Sequence, residues 1–351
     1  LAVDLTEEQS EAIRLLRTKG LRIRRLDEKS RLKLREAISS LHLEGGVSLS
    51  DIAKLVGNKT SGYTSWLCRE LGVPARPFEE ARLKGIREKR RKYERRPFDG
   101  DEVSMGYMLG LCHGDLHAYV PFRGAVRAST STTHPAMADL FTQLFGRFGH
   151  VYRFPRFKND TRTYEWNLEV VLDDSFGFLL WTVNEAWRWV ADNKRVLGYI
   201  AGFLDAEGHI GISDAKGRVA LIISFHNTDT DLLERIRFSL GGMGFTPLGP
   251  YLEKERGTVS PRYGIVRKKD YWRIALARFD ECRTLLRDLP IRHSEKVARK
   301  ELALGLGRDS RWGDVGPVMR RLRLQTIKSR DSFVDYAKDL VEAKKTQRPS
   351  S

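Results

Sequence analysis

Apolar residues recur at three- and four-residue spacing over residues 5–17 and again over residues 28–43, the period of amphipathic helices. Two shorter segments follow, residues 47–57 and 61–73. Ser50 is placed to cap the first of them, and Gly57 to end it in a left-handed conformation. Ile52, Leu55 and Val56 would then pack on Trp66 and Leu67. The pair reads as a helix-turn-helix whose second helix offers Tyr63, Thr64, Ser65 and Arg69 to a major groove. A helical hairpin that only packs gives the same pattern. A basic run over residues 82–96 precedes Pro97. It reads as a linker or a helix tracking phosphate, with a solvated charged helix as the plainer alternative. Residues 1–97 are therefore expected to form an all-helical domain.

Beyond residue 97 the pattern changes and repeats. Gly106-Tyr107-Met108-Leu109-Gly110-Leu111-Cys112-His113-Gly114-Asp115-Leu116-His117 aligns with Gly198-Tyr199-Ile200-Ala201-Gly202-Phe203-Leu204-Asp205-Ala206-Glu207-Gly208-His209 at an offset of 92. Leu140-Phe141 and Leu232-Leu233 keep that offset, whereas Trp166, Leu168 and Val170 recur as Trp272, Ile274 and Leu276 at 106. The second copy thus carries a longer loop, within about residues 248–269. Each copy reads as helix, two strands, helix, two strands, helix, with alternating strands rich in Val, Ile, Tyr and Trp. The expected fold class is α+β: two pseudo-symmetric αββαββα repeats over residues 98–195 and 196–307. A tail over residues 308–351 holds one or two amphipathic basic helices between 318 and 345. Two copies are too few for a solenoid.

Charge adds the first functional constraint. Sixty-two Lys and Arg oppose 46 Asp and Glu, a net charge of +16. That excess favours a polyanionic partner through counterion release from phosphates. It is not gathered on one amphipathic helix, which disfavours a membrane surface. No apolar run reaches 18 residues, so no spanning helix is expected. The head of the chain lacks the pattern of a signal peptide. Cys68, Cys112 and Cys282 are dispersed and odd in number. That fits a reducing, cytoplasmic and nucleoid-associated setting better than a disulfide framework.

The repeated helices carry candidate chemistry. Gly106 and Gly110, and likewise Gly198 and Gly202, stand one turn apart, and glycine inside a helix costs about 1 kcal/mol against alanine. Their recurrence therefore points to close packing of two helix backbones. Asp115 and Glu207 end the two segments at matching places, so paired helices would bring two carboxylates to one axis. Carboxylates facing a phosphodiester are what Mg²⁺ requires. His117 and His209 open the first strand of each copy and read as polar or packing residues, because zinc spacing is lacking. Arginines and lysines on the expected strands and turns are candidate readers of DNA. They are Arg123, Arg127, Arg153, Arg156, Lys158, Arg162, Lys216, Arg218, Arg262, Arg267, Lys268, Lys269 and Arg273.

Residues 108–116 and 200–208 resemble the two motifs of the LAGLIDADG homing endonucleases, the second more closely than the first. The resemblance spans about residues 100–307 and implies the monomeric, two-motif form. It implies curved antiparallel sheets along the major groove of a long double-stranded site. It also implies cleavage across the minor groove that leaves short 3′ overhangs. By the same resemblance Asp115 and Glu207, with the peptide oxygens of Gly114 and Ala206, hold the divalent metal. Lys296 would lie near the cleaved phosphate and Asn227 would help arrange water. Two departures stand out. Leu116 occupies a place where the family usually has glycine, and the first copy lacks a lysine matching Lys296, leaving Arg188 or Lys194 as stand-ins. The alternatives are a non-catalytic DNA-binding regulator, favoured by those departures and the N-terminal extension, and an RNA-splicing maturase binding structured RNA.

Overall fold

A computed structural model describes residues 5–17, 23, 26–45, 47–57, 60–74, 93–159, 161–260 and 264–346. The chain divides into two compact units, Leu1–Arg91 and Lys92–Ser351.

The first unit is helical: α1 (Glu7–Leu16), α2 (Glu28–Ser39) running on into a π turn (Ser40–Glu44), α3 (Leu49–Leu55) and α4 (Ser61–Leu71). Thr6 and Gln9 form a capping box on α1, and Asp27 caps α2. Ser48, not Ser50, caps α3 by accepting from the Asp51 amide. The expected left-handed end is present at Gly57, with φ of 79°. Ile13, Leu34, Ile38, Ile52 and Leu67 close the core. Trp66 stays outside it, 37% exposed and beside Tyr63. Thr64 is fully buried, which corrects its expected place on a groove-facing surface. Tyr63, Ser65 and Arg69 keep solvent access. Residues 82–92 of the basic run lie outside the described residues. The last residues of that run belong to the second unit. There Tyr93 stacks on His150 at 3.7 Å, and the Arg96 amide donates to Phe148 O at 2.9 Å.

The second unit contains the repeat. Its first copy runs α5 (Glu102–Gly114), β1 (His117–Phe122), β2 (Ala125–Thr132), α6 (Pro135–Phe145), β3 (Val151–Lys158) and β4 (Thr163–Asp173), then a 3-10 turn (Asp174–Leu180) and α7 (Val183–Trp189). Its second copy runs α8 (Asn193–Glu207), β5 (Gly208–Ala215), β6 (Arg218–Asn227), α9 (Thr230–Gly242), β7 (Leu248–Lys254), β8 (Tyr271–Leu276) and α10 (Phe279–Asp288). Both sheets are antiparallel, ordered β1-β2-β4-β3 and β5-β6-β8-β7. Trp166 lies opposite Thr132, and Trp272 opposite Asn227, so the two tryptophans hold the same place in each sheet. The residues added to the second copy fall between β7 and β8.

Strand alternation sets what each sheet faces. Val126, Ala128, Leu168 and Val170 enter the core with the helices, as do Ile210, Leu221, Ile223 and Ile274. The alternate positions form an open face on each sheet. Two further helices complete the unit, α11 (Ser294–Gly305) and α12 (Trp312–Thr346). The tail is therefore one long helix. Beside its start, the Trp312 amide donates to Gly217 O at 3.0 Å in the β5–β6 turn. Near its end, Trp166 Nε1 donates to Phe333 O at 2.9 Å and Tyr164 Oη to Glu342 at 3.0 Å. The helix thus ties the two repeats together.

Candidate active site

The glycines explain how α5 and α8 meet. A Cβ on Gly110 would stand 2.8 Å from Phe203 N, and one on Gly202 2.9 Å from Leu111 N. Each would overlap a carbonyl still more closely, Tyr199 O and Tyr107 O respectively. Gly106 and Gly198 repeat this one turn earlier, against Arg195 O at 2.8 Å and Val103 O at 2.5 Å. Any side chain at these positions would push the backbones apart. The seam ends with Gly114 against the Ala206 methyl and Glu207, a Cβ there lying 3.3 Å from Glu207 Cγ. Asp115 and Glu207 are therefore neighbours across the seam.

The two ends are not identical. α8 runs through Glu207 and β5 starts at Gly208, where a Cβ would lie 2.7 Å from Leu204 Cα. α5 stops at Gly114, with Asp115 as its cap, and Leu116 packs half-buried before β1 begins at His117. With no insertion, the first copy leaves Asp115 and Leu116 between helix and strand where the second leaves none, and Leu116 is accommodated without the close approach seen at Gly208.

Desolvation raises the Asp115 carboxyl, against the pull of Lys296 and His134, although the residue as a whole is exposed. Burial, then the neighbouring Asp115 charge, pushes Glu207 up to about 7. Tyr271 Oη donates to Glu207 Oε2 at 3.2 Å and works in the opposite direction. Lys296 lies at the C-terminus of α8. Its Nζ donates to Leu204 O at 2.6 Å, Asp205 O at 2.7 Å and, more weakly, Ala206 O at 3.4 Å. Burial lowers it to about 8 despite Asp205, Asp115 and Glu207. Asp205 itself is a buried anchor. Its Oδ2 accepts from Tyr107 Oη at 2.5 Å and from the amides of Arg292 at 2.7 Å and His293 at 3.0 Å. These bonds fix the entry of α11, and hence Lys296, to the motif helix.

A polar recess of about 470 Å³ opens beside Asp115 and is lined by Thr132, His134, Lys158, Glu165 and Lys296. A larger groove of about 910 Å³ lies between α1 and α2, lined by opposite charges such as Glu8, Glu11, Arg14 and Lys33. Asp115 sits at the smaller one.

The structure thus gathers Asp115, Glu207, Gly114, Ala206 and Lys296. Asn227 spends its side-chain oxygen on the Asp229 amide at 2.9 Å, in the turn that starts α9. Lys194 begins α8, thirteen residues before Glu207, about 20 Å along the helix, and Arg188 is exposed on α7 near Glu185. Lys194 therefore cannot stand in for a first-copy lysine. Lys158, which lines the recess, is the first-copy lysine nearest the acids. Sequence reading gave it a DNA-binding role and missed this one. It also missed Tyr271. The 106-residue offset places Tyr271 level with Glu165, but nothing in the sequence shows its reach to Glu207.

The expected DNA readers divide by place. Arg127, Arg156 and Lys158 lie on the open face of the first sheet, and Arg218 and Arg273 on that of the second. Arg123, Arg162 and Lys216 stand on hairpin turns. Arg267, Lys268 and Lys269 precede β8, and Arg262 lies outside the described residues. Arg153 is a correction. Its partner Leu168 faces the core, and its guanidinium stacks on Trp166 at 4.7 Å and Phe333 at 4.8 Å. It faces away from the open surface.

The family model for a LAGLIDADG-like domain matches residues 194–276. No curated protein matches the chain. Among solved structures, I-DmoI in complex with DNA and Mn is 18% identical, covering 54% of this chain and 96% of that one, at a TM-score of 0.34. A mutant of I-SmaMI is 10% identical, covering 66% and 98%, at 0.34. Full-length DUF199/WhiA from Thermatoga maritima is 12% identical, covering 68% and 71%, at 0.37.

Proposed function

We propose that this chain, whose residues 194–276 form a LAGLIDADG-like domain, is a site-specific endonuclease that hydrolyses both strands of a DNA duplex at the α5–α8 seam. One observation carries the reading: the packing of Gly114 on Ala206 and Glu207 makes Asp115 and Glu207 neighbours. A pure binder has no use for two crowded carboxylates whose mutual repulsion helps raise Glu207.

The donor set fits Mg²⁺ or another hard divalent ion, with two carboxylates and the carbonyl oxygens of Gly114 and Ala206. Among the described residues no three His, Cys, Asp or Glu side chains converge as a metal cluster. Water and substrate phosphate must then complete the coordination, as Mg²⁺ prefers. When bound, such an ion neutralises the scissile phosphate and eases ionisation of the attacking water. Lys296 holds positive charge at the end of α8, where it offsets the carbonyls it caps and faces the phosphate. Lys158 supplies a second cation across the recess. Tyr271 orients Glu207 through its hydroxyl. The open sheet faces carry the duplex, and Tyr63, Ser65 and Arg69 of α4 give the N-terminal unit a DNA contact of its own.

Selection of cleaved sites from a randomised duplex library with Mg²⁺ tests this. It should return one long site cut on both strands. Asp115→Asn and Glu207→Gln should each retain that site's affinity while cleavage falls at least about a hundredfold. Binding without scission by the unsubstituted protein, or full cleavage by either variant, would overturn the assignment.

A further inference from the structure

The open faces of the two sheets differ in how their cations are held. On the first, every strand-borne cation is held by a carboxylate of the same sheet. Arg127 reaches Glu169 at 3.4 Å, Arg156 reaches Glu165 at 2.7 Å and Lys158 reaches Glu165 at 3.9 Å. Arg127 also lies over the Tyr119 ring at 5.7 Å. What this face leaves uncovered is aromatic. Tyr152 and Phe154, opposite Glu169 and Asn167, are 44% and 37% exposed. Asn167 accepts from Ser131 Oγ at 2.6 Å, which leaves its amide NH₂ free to donate.

The second sheet also leaves apolar side chains uncovered, Leu248 and Tyr251 opposite Ala275 and Arg273 and each 49% exposed, but it holds its cations differently. Arg218, Lys254 and Arg273 share its open face; Lys254 lies over the Tyr271 ring at 5.7 Å, and among the described residues none of the three enters an ion pair. The acid near them, Glu253, is taken by His226 Nδ1 at 2.6 Å. Lys268 and Lys269 are exposed just before β8. Free guanidinium and ammonium groups read guanine O6 and N7 in the major groove, whereas apolar side chains read the thymine methyl and asparagine reads adenine. An arginine already committed to a carboxylate must give up that partner to reach guanine.

We infer that the two halves of the DNA target differ in composition. The half under the first sheet is read through thymine methyls by Tyr152 and Phe154 and through adenine by Asn167. The half under the second sheet is read through guanine by Arg218, Lys254 and Arg273. This rests on the duplex-binding reading above and specifies its substrate.

Binding selection from a fully randomised duplex, using the whole chain, supplies the test. The selected sites should be A·T-rich in one half and carry guanines in the other. Phe154→Ala should relax a thymine preference in the first half, with Phe154→Leu restoring it. Arg273→Ala should relax a guanine preference in the second. Replacing thymine by uracil in the first half should lower affinity about fourfold per methyl read. A bound duplex with guanines spread evenly over both halves, or uracil without effect in the first, overturns this inference alone. Recovery of no duplex overturns the endonuclease reading and this inference with it.

Discussion

The proposed metal site needs Glu207 in its ionised form, yet its surroundings resist that charge. A free glutamate titrates at 4.5, whereas burial and Asp115 hold Glu207 near 7. A folded-state pKa raised above the unfolded one contributes stability that is complete below 4.5 and lost as pH rises through 7. The metal-free protein should therefore soften across that interval. Glu207→Gln cannot ionise and keeps the contribution, so above pH 7 it should be more stable than the parent by roughly 1–3 kcal/mol, discounted for partial solvent access. Below 4.5 the two proteins should unfold alike. Mg²⁺ should reverse the order, stabilising the parent and leaving the variant unmoved. Chemical unfolding at a series of pH values, with and without Mg²⁺, decides this. A stability difference that does not change with pH would mean that neither burial nor Asp115 raises Glu207. Lys296 is the counterpart, an ammonium that burial lowers and that three carbonyls retain beside the acids.

Between elements, the α5–α8 packing is the joint on which the site depends, and it tolerates no added methyl. Gly110→Ala and Gly202→Ala should each cost at least about 3 kcal/mol, because the obstructing atoms are backbone and cannot rotate away. Gly241→Ala on α9 meets nothing within 4 Å and should gain up to about 1 kcal/mol from helix propensity. Opposite signs for the same substitution, read by denaturant unfolding, separate packing from propensity; equal signs would refute the seam. This joint was legible in the sequence because four glycines at one-turn spacing recur with their acids, and recurrence removes coincidence. The order of elements was legible for the same reason. Other features depend on what pairs with what. Tyr152-Arg153-Phe154-Pro155-Arg156-Phe157 alternates neither in polarity nor in size, so only the register with β4 shows that Arg153 turns inward. Ser48 and Ser50 are equally good caps by composition, and the start of α3 chooses Ser48. Thr64 is small enough to vanish into the first unit's core. Lys158 and Tyr271 gain their places from long-range approach to the acids, which no local spacing encodes.

Over the whole molecule, basic charge and cover are distributed unequally. α12 has 35 residues, a rise of about 52 Å, enough to run from the β5–β6 turn of one repeat to Tyr164 of the other. By packing Phe333 and Ala337 inside, it ties together two halves that otherwise meet mainly at α5 and α8, and so it steadies the spacing of the acids. The N-terminal unit has a different part. Residues 1–91 hold 20 Lys and Arg against 13 Asp and Glu, which is 7 of the 16 net positive charges in about a quarter of the chain. A unit that dense in cations lowers its free energy most against phosphate, and Arg69 with Ser65 stands exposed on α4 to meet it. Removal of residues 1–91 should therefore leave the cut position unchanged, shorten the footprint, and flatten the dependence of affinity on salt by about 0.9 in log–log slope for each phosphate no longer neutralised. Nuclease footprinting and binding titrations over a range of salt concentrations read both effects. Because the truncated chain keeps both acids and Lys296, cleavage of the selected site at low salt is the control for folding. An unchanged salt slope in a protein that still cuts would assign the N-terminal unit to packing rather than to DNA.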